Sequence, residues 1–261
     1  LGVAPAAGQY SASSSGLLEC AAQLLARATD APARAVVRCL DVLLLLARHD
    51  PSVLRRAELE LGFRFGGGAA AAPLSALVAR LVVEIDDEGP MRQGQELLVI
   101  LLDPSTMDEA ERDAFLSAAY ARGGCMALIF DDVIATPGGG GGGHTRTDAA
   151  RIAVLLSLLA PAMCAHGFYG SRAGLEPSLW ARVAELAASP STEVRGAAVR
   201  FAREMLKSLP ACANRVAGSP LLPNLVRHLA ARISKRSSLM DSAALALLED
   251  AVGSPALEPI R

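Results

Sequence analysis

Apolar residues recur along this chain at intervals of three and four, and seldom alternate. Between residues 33 and 47, Val36, Val37, Leu40, Leu43 and Leu44 fall on one face of a 3.6-residue helix. The same period gathers Val194, Ala197, Ala198, Phe201, Ala202 and Met205 into one stripe of a helix predicted over 192–209. Further helices are predicted at 17–28, 51–61, 73–85, 125–134, 177–188, 221–233 and 239–252, with a longer one capped by Thr147-Asp148 that runs to 165 and bends at Pro161. Proline marks several starts (Pro32, Pro51) because its fixed φ suits a first helical turn. The connector at 66–72 and the Asp86–Pro90 break separate helices. This is roughly a dozen helices of ordinary length and no strand.

The chain is organised around residues 92–127. A short apolar helix over 95–102 must end at Asp103-Pro104, because proline cannot donate to a continuing helix and pushes its predecessor out of helical geometry. Ser105 or Thr106 then caps a second helix, with Asp108 and Glu109 in its first turn. That helix is expected to bury Ala114, Ala118, Phe115 and Tyr120 and to stop at Gly123-Gly124. Leu98 and Leu101 are expected core. Helix, tight Asp-Pro turn, helix is the building block of an α-solenoid. Weak self-similarity agrees: Ala22-x-Leu24 recurs at Ala184-x-Leu186 and Val37-Arg38 at Val199-Arg200, a shift of about 162 residues, roughly four periods of an armadillo or HEAT repeat.

The same stretch carries a resemblance. Leu97, Leu98, Leu101, Leu102, Asp103, Pro104 and Met107, then Phe115, Leu116 and Tyr120 after an acidic spacer, resemble the central domain of the SMEK family, regulatory subunit 3 of protein phosphatase 4. The similarity continues through Ala198-Val199-Arg200-Phe201, Asn214-Arg215 and residues 239–251, and spans residues 17–252. It implies an all-α, armadillo/HEAT-like α-solenoid, a right-handed superhelix of helical hairpins with one concave face. It also implies a non-catalytic scaffold, without cofactor, that binds the phosphatase 4 catalytic subunit and regulatory subunit 2 in nucleus and cytoplasm. The family's pleckstrin-homology-type domain, which reads short proline-containing peptides, has no counterpart here. The many alanines and a glycine tract inside a variable insertion depart from the family pattern.

Composition is compatible with this. Of 261 residues, 52% are hydrophobic and only 4% aromatic, so alanine and leucine must supply close helix packing. A net charge of −2 points to neither nucleic acid nor an anionic membrane. Positive charge is almost all arginine, with lysine only at Lys207 and Lys235. The most apolar stretch, residues 152–165, is short of the roughly 20 residues needed to span a bilayer and contains Pro161. Five scattered cysteines without a Cys-x-x-Cys pair read as small buried hydrophobes in a reducing compartment. The chain starts at Leu1 and reads as a segment of a longer protein. Residues 1–16 are expected to be a disordered, low-complexity start and 17–261 a single domain with a flexible glycine-rich loop at 136–146.

No catalytic constellation emerges. Residues 138–145, GGGGGGHT, place His144 where a phosphate-binding loop needs lysine, and no strand precedes them. Asp86-Asp87-Glu88 and Asp131-Asp132 fall at helix ends, where solvated acids are ordinary. His49, His144, His166 and His228 lie far apart, and Cys164-x-His166 alone is too little for zinc. One surface pattern stands out. Arg200, Arg203 and Lys207 form a basic stripe at i, i+3 and i+7, and Arg34 and Arg38 hold a similar place in the earlier repeat. These five are the candidate partner-binding residues. The alternatives to the phosphatase scaffold are a generic armadillo adaptor for another partner and a helical enzyme, the latter requiring a clustered polar pocket.

Overall fold

A computed structural model describes residues 11–60, 72–85, 87–135, 146–165, 172 and 174–234. Among the described residues there is no strand, and the helices are α1 (Ser11–Leu25), α2 (Ala33–His49), α3 (Pro51–Glu60), α4 (Leu74–Glu84), α5 (Glu88–Leu102), α6 (Glu109–Tyr120), α7 (Cys125–Ala135), α8 (Arg146–Ala165), α9 (Pro177–Ala187), α10 (Thr192–Ser208), α11 (Ala213–Gly218) and α12 (Leu221–Ser234). Residues 136–145 of the expected glycine-rich loop, residues 1–10 of the expected disordered start, all but the end of the 66–72 connector, and the 239–252 helix lie outside the described residues, as does Asp86; Arg146 instead begins α8, and residues 11–16 belong to α1.

The chain divides into two compact units, residues 1–128 and 129–261. In the first, α2 packs along α5, α4 packs on α5, and α1 meets both α2 and α4, so two helical hairpins stack. The approach of α4 to α5 is close because position 94 is glycine. A Cβ there would stand 2.9 Å from Val82 Cγ2 and 3.1 Å from Leu81 Cδ2. In the second unit α8 packs on α10, which pairs with α9, and α9 meets α12. Trp180 on α9 lies 6.2 Å from Phe201 on α10, ring centre to ring centre, and its indole N–H donates to Gly174 O at 2.6 Å. Packed helical hairpins of this kind make the all-α fold expected from the sequence.

Around the central turn the structure differs in detail from expectation. Helix α5 begins at Glu88, because the Asp87 carboxylate accepts from Gly89 N at 3.0 Å and Pro90 falls in the first turn, where its missing N–H costs no bond. Neither Ser105 nor Thr106 caps α6. Pro104–Thr106 forms a 3₁₀ turn, with Asp103 Oδ1 accepting from Ser105 N (2.9 Å) and Ser105 Oγ (2.7 Å). Asp108 is the α6 cap, accepting from Glu111 N at 2.8 Å. Phe115, Leu116 and Ala119 are buried, whereas Ala114 is exposed and Ala118 and Tyr120 are half-buried. Larger side chains win the core position because burying them removes more apolar area from water. Gly123 has φ 83°, a left-handed conformation that glycine adopts without strain.

The turn is held by a buried arginine. Arg55, on α3, is 0% exposed. Its Nε donates to Glu111 Oε1 at 2.9 Å, Nη1 to Leu101 O (3.4 Å) and Thr106 Oγ1 (3.3 Å), and Nη2 to Thr106 O (2.9 Å). Carbonyls at a helix end have no partner within the helix, and here the guanidinium supplies donors. Replacing Arg55 with alanine should therefore cost about 3–5 kcal/mol in urea unfolding, the range for breaking a buried ion pair. A change below about 1 kcal/mol would show that water reaches the turn and takes over these bonds.

A second polar link joins α3 to α4. Glu58 keeps some surface exposure, but its carboxylate turns onto Ser75 and accepts from Ser75 N (2.9 Å) and Oγ (2.7 Å). Burial nevertheless dominates and raises its pKa above the ordinary 4.5, against the lowering effect of the Ser75 bonds. The folded state then binds the proton more tightly than the unfolded chain. Stability from this group is complete below about 4.5 and is lost as pH rises through the raised pKa. Glu58→Gln should flatten the fall in thermal stability above that pH. An unchanged pH slope would mean that the carboxylate is solvated.

Candidate partner-binding surface

Helix α10 carries the best-defined candidate face. Its start is capped by Ser191 Oγ, which accepts from Val194 N at 3.4 Å, and Lys207 lies in its last turn, where a cation suits the helix dipole. Val194, Ala197, Ala198, Phe201, Ala202 and Met205 are all buried, as the periodicity predicted, together with Val199. On the other side Arg200 and Lys207 are exposed and Arg203 is half-buried. In the first unit Arg34 and Arg38, one turn apart on α2, are both exposed. Each stripe is a feature of its own unit.

Most residues that carry the family resemblance are structural. Leu97, Leu98, Leu101 and Leu102 are buried along α5, Asp103 and Pro104 make the turn, and Met107, Phe115 and Leu116 are buried beyond it. In the run Ala198-Val199-Arg200-Phe201 only Arg200 reaches the surface. Asn214 and Arg215 are exposed on α11 and border a shallow cleft of about 200 Å³ with Pro177, Trp180 and Pro220.

The cysteines divide. Cys125 and Cys212 are buried, and burial pushes their thiols up to about 12 and about 11. Cys39 and Cys164 are half-buried, and Cys20 is exposed rather than buried as expected. Asp87 is an N-cap, which accounts for one of the acids in the Asp86–Glu88 run.

Sequence reasoning missed three buried arginines. Besides Arg55, Arg182 on α9 donates from Nε to Val133 O (3.1 Å) and from Nη1 to Glu185 Oε2 (2.8 Å). Arg195 on α10 donates from Nη1 to Ser189 O (2.9 Å) and from Nη2 to Thr192 Oγ1 (3.2 Å). A signal existed for Arg182, which stands three residues after Leu179 and four before Leu186, inside the apolar stripe of α9. None marks Arg55.

A family model described as phosphatase 4 regulatory subunit 3 matches residues 12–252, nearly the whole chain. The chain belongs to the phosphatase 4 regulatory subunit 3 family. No curated protein and no solved structure matches it. The leucines of α5 are buried in this chain, while Arg34 and Arg38 of α2 and Arg200 of α10 are exposed.

Single exposed charges are worth about 0–1 kcal/mol each, so the α10 stripe is tested as a set. Reversing Arg200, Arg203 and Lys207 together to glutamate should leave the helical circular-dichroism spectrum intact and weaken partner binding, more at low salt than at high salt. Binding equal to the parent at every salt concentration would reduce the stripe to a solvated face.

Proposed function

We propose that this chain is a non-catalytic scaffolding subunit of a serine/threonine protein phosphatase 4 complex. It holds the phosphatase 4 catalytic subunit and regulatory subunit 2 through armadillo/HEAT-like helical repeats. The observation that carries this reading is the family match over residues 12–252. The stacking of α1/α2 on α4/α5 supports it, because such a fold exposes long helix faces suited to holding other proteins.

The chemistry of the subunit is contact rather than catalysis, and it uses no cofactor. The candidate contacts are Arg200, Arg203 and Lys207 on α10 and Arg34 and Arg38 on α2, which offer cations to acidic segments of a partner. Nucleic acid and membrane are not its targets. The net charge of −2 supplies no basic footprint, and among the described residues no helix is long and apolar enough to cross a membrane. The complex acts in nucleus and cytoplasm.

Affinity-tagged chain expressed in cells should co-purify the phosphatase 4 catalytic subunit and regulatory subunit 2 in near-equal amounts, and the purified chain alone should not hydrolyse phosphopeptides. Recovery of an unrelated protein in their place would instead make the chain an adaptor for that protein. Phosphatase activity from the isolated chain would overturn the non-catalytic role.

A further inference from the structure

Helix α12 has two apolar edges, and α9 covers only one of them. Leu221 and Leu225 are buried, and Asn224 Nδ2 beside them donates to Ala184 O of α9 at 3.4 Å. The second edge lies about 100° further round the helix. There Leu222 is half-buried against Ala213 of α11, and Val226, one turn on, is 54% exposed. The sequence carries that phase forward to positions 229 and 233, leucine and isoleucine, at spacings of four, three and four.

One exposed valine is ordinary in itself. Its meaning comes from the chain that follows. Residues 239–252, expected from the sequence to be helical, place Met240, Ala244, Leu247 and Ala251 at the same spacings of four, three and four. Residues 235–238 connect the two segments, a length that joins antiparallel neighbours. Folding back about that turn sets 240 against 233, 244 against 229, 247 against 226 and 251 against 222. Loop length and both apolar stripes thus agree on one register, with alanine facing leucine at two of the four levels. The segments also match in length, since α12 has 14 residues and so does 239–252.

The ends of the segment are marked. Ser238 stands at the N-cap position, Asp241 falls in the first turn, and Gly253 and Pro255 follow the last. The family match stops at residue 252, at the end of this segment and not at the end of α12. Charge points the same way. From 205 to 240 the sequence has Lys207, Arg215, Arg227, Arg232, Lys235 and Arg236 and no acid, whereas 239–252 has Asp241, Glu249 and Asp250 and no cation. Glu176, Arg182 and Glu185 of the adjoining α9 region together offset only one of those six positive charges.

We propose that the exposed edge of α12 is the docking surface for the chain's own residues 239–252. The segment lies antiparallel along it as a helix, with Leu247 on Val226 and Ala251 on Leu222. Knobs at three- and four-residue spacing on each helix enter the gaps on the other. The pairing closes the last hairpin of the second unit, shuts this edge to other proteins and leaves Asp241, Glu249 and Asp250 off the seam. The proposal goes beyond the phosphatase reading and does not rest on it.

Hydrogen exchange read by mass spectrometry on the full chain tests it. Amides of 239–252 should be protected. Val226→Lys should speed their exchange by about tenfold or more, because the apolar edge beneath them is lost. Leu247→Glu should do the same, and the two changes together should restore much of the protection, since the new charges face each other in that register. Val226→Lys with Leu245→Glu, whose acid lies off the stripe, should restore none. Circular-dichroism melting checks that the rest of the chain keeps the parent Tm, and Val226→Ser replaces the single lysine variant if it does not. Exchange of 239–252 at the rate of an unstructured peptide, exchange unmoved by the Val226 variants, or equal rescue by Leu245→Glu and Leu247→Glu overturns the proposal. Protection that appears only when phosphatase 4 subunits are added overturns it too. So does a sedimenting mass that rises with concentration in the parent but not in Val226→Lys, which would give the edge to a second copy.

Discussion

A buried guanidinium at the end of α5 is the constraint around which the first unit is arranged. Helices that stop inside a packed structure leave their last carbonyls without partners, and water cannot serve them there. Arg55 answers this from a different helix, reaching Leu101 O, both oxygens of Thr106 and the Glu111 carboxylate. One side chain thereby ties α3 to the end of α5, the 3₁₀ turn and the start of α6. The same device recurs in the second unit. Arg182 reaches Val133 O near the end of α7, and Arg195 reaches Ser189 O in the turn between α9 and α10. Arginine suits the task better than lysine because its planar fork offers five donors in fixed directions.

This separates the arginines of the chain into two populations. Arg55, Arg182 and Arg195 are structural and buried. Arg34, Arg38, Arg92 and Arg200 are at the surface. Near-absence of lysine makes the two populations indistinguishable by composition, and only the packing sorts them. The leucines of α5 and the Asp103-Pro104 turn are structural as well, buried or spent on local bonds.

Polar groups inside the first unit also have a cost. Glu58 bonds to Ser75 at the start of α4, where a carboxylate is favoured by unpaired N–H groups, yet burial still pulls its pKa upward. The buried Cys125 thiol adds to the picture, since Glu58 is one of the groups that raise its pKa after burial itself. The link is therefore a geometric fastener between α3 and α4 more than a source of net stability.

By itself the sequence determined the helical class, the positions of most helices and the core of α2, α5 and α10, because 3.6-residue periodicity and proline punctuation are local signals. Val36, Leu40, Leu43 and Leu44 are buried where that period placed them, and Leu98 and Leu101 likewise. The basic stripe of α10 was legible for the same reason, with Arg200 and Lys207 exposed opposite the buried stripe. Tertiary structure decided what depends on partners distant in the chain. The cap of α6 passed from Ser105 or Thr106 to Asp108 because the 3₁₀ turn absorbed the first two, and packing buried Phe115, Leu116 and Ala119 in place of Ala114 and Ala118. Burial of Arg55 could not be read from α3, since its acceptors lie roughly 45 to 55 residues further along the chain.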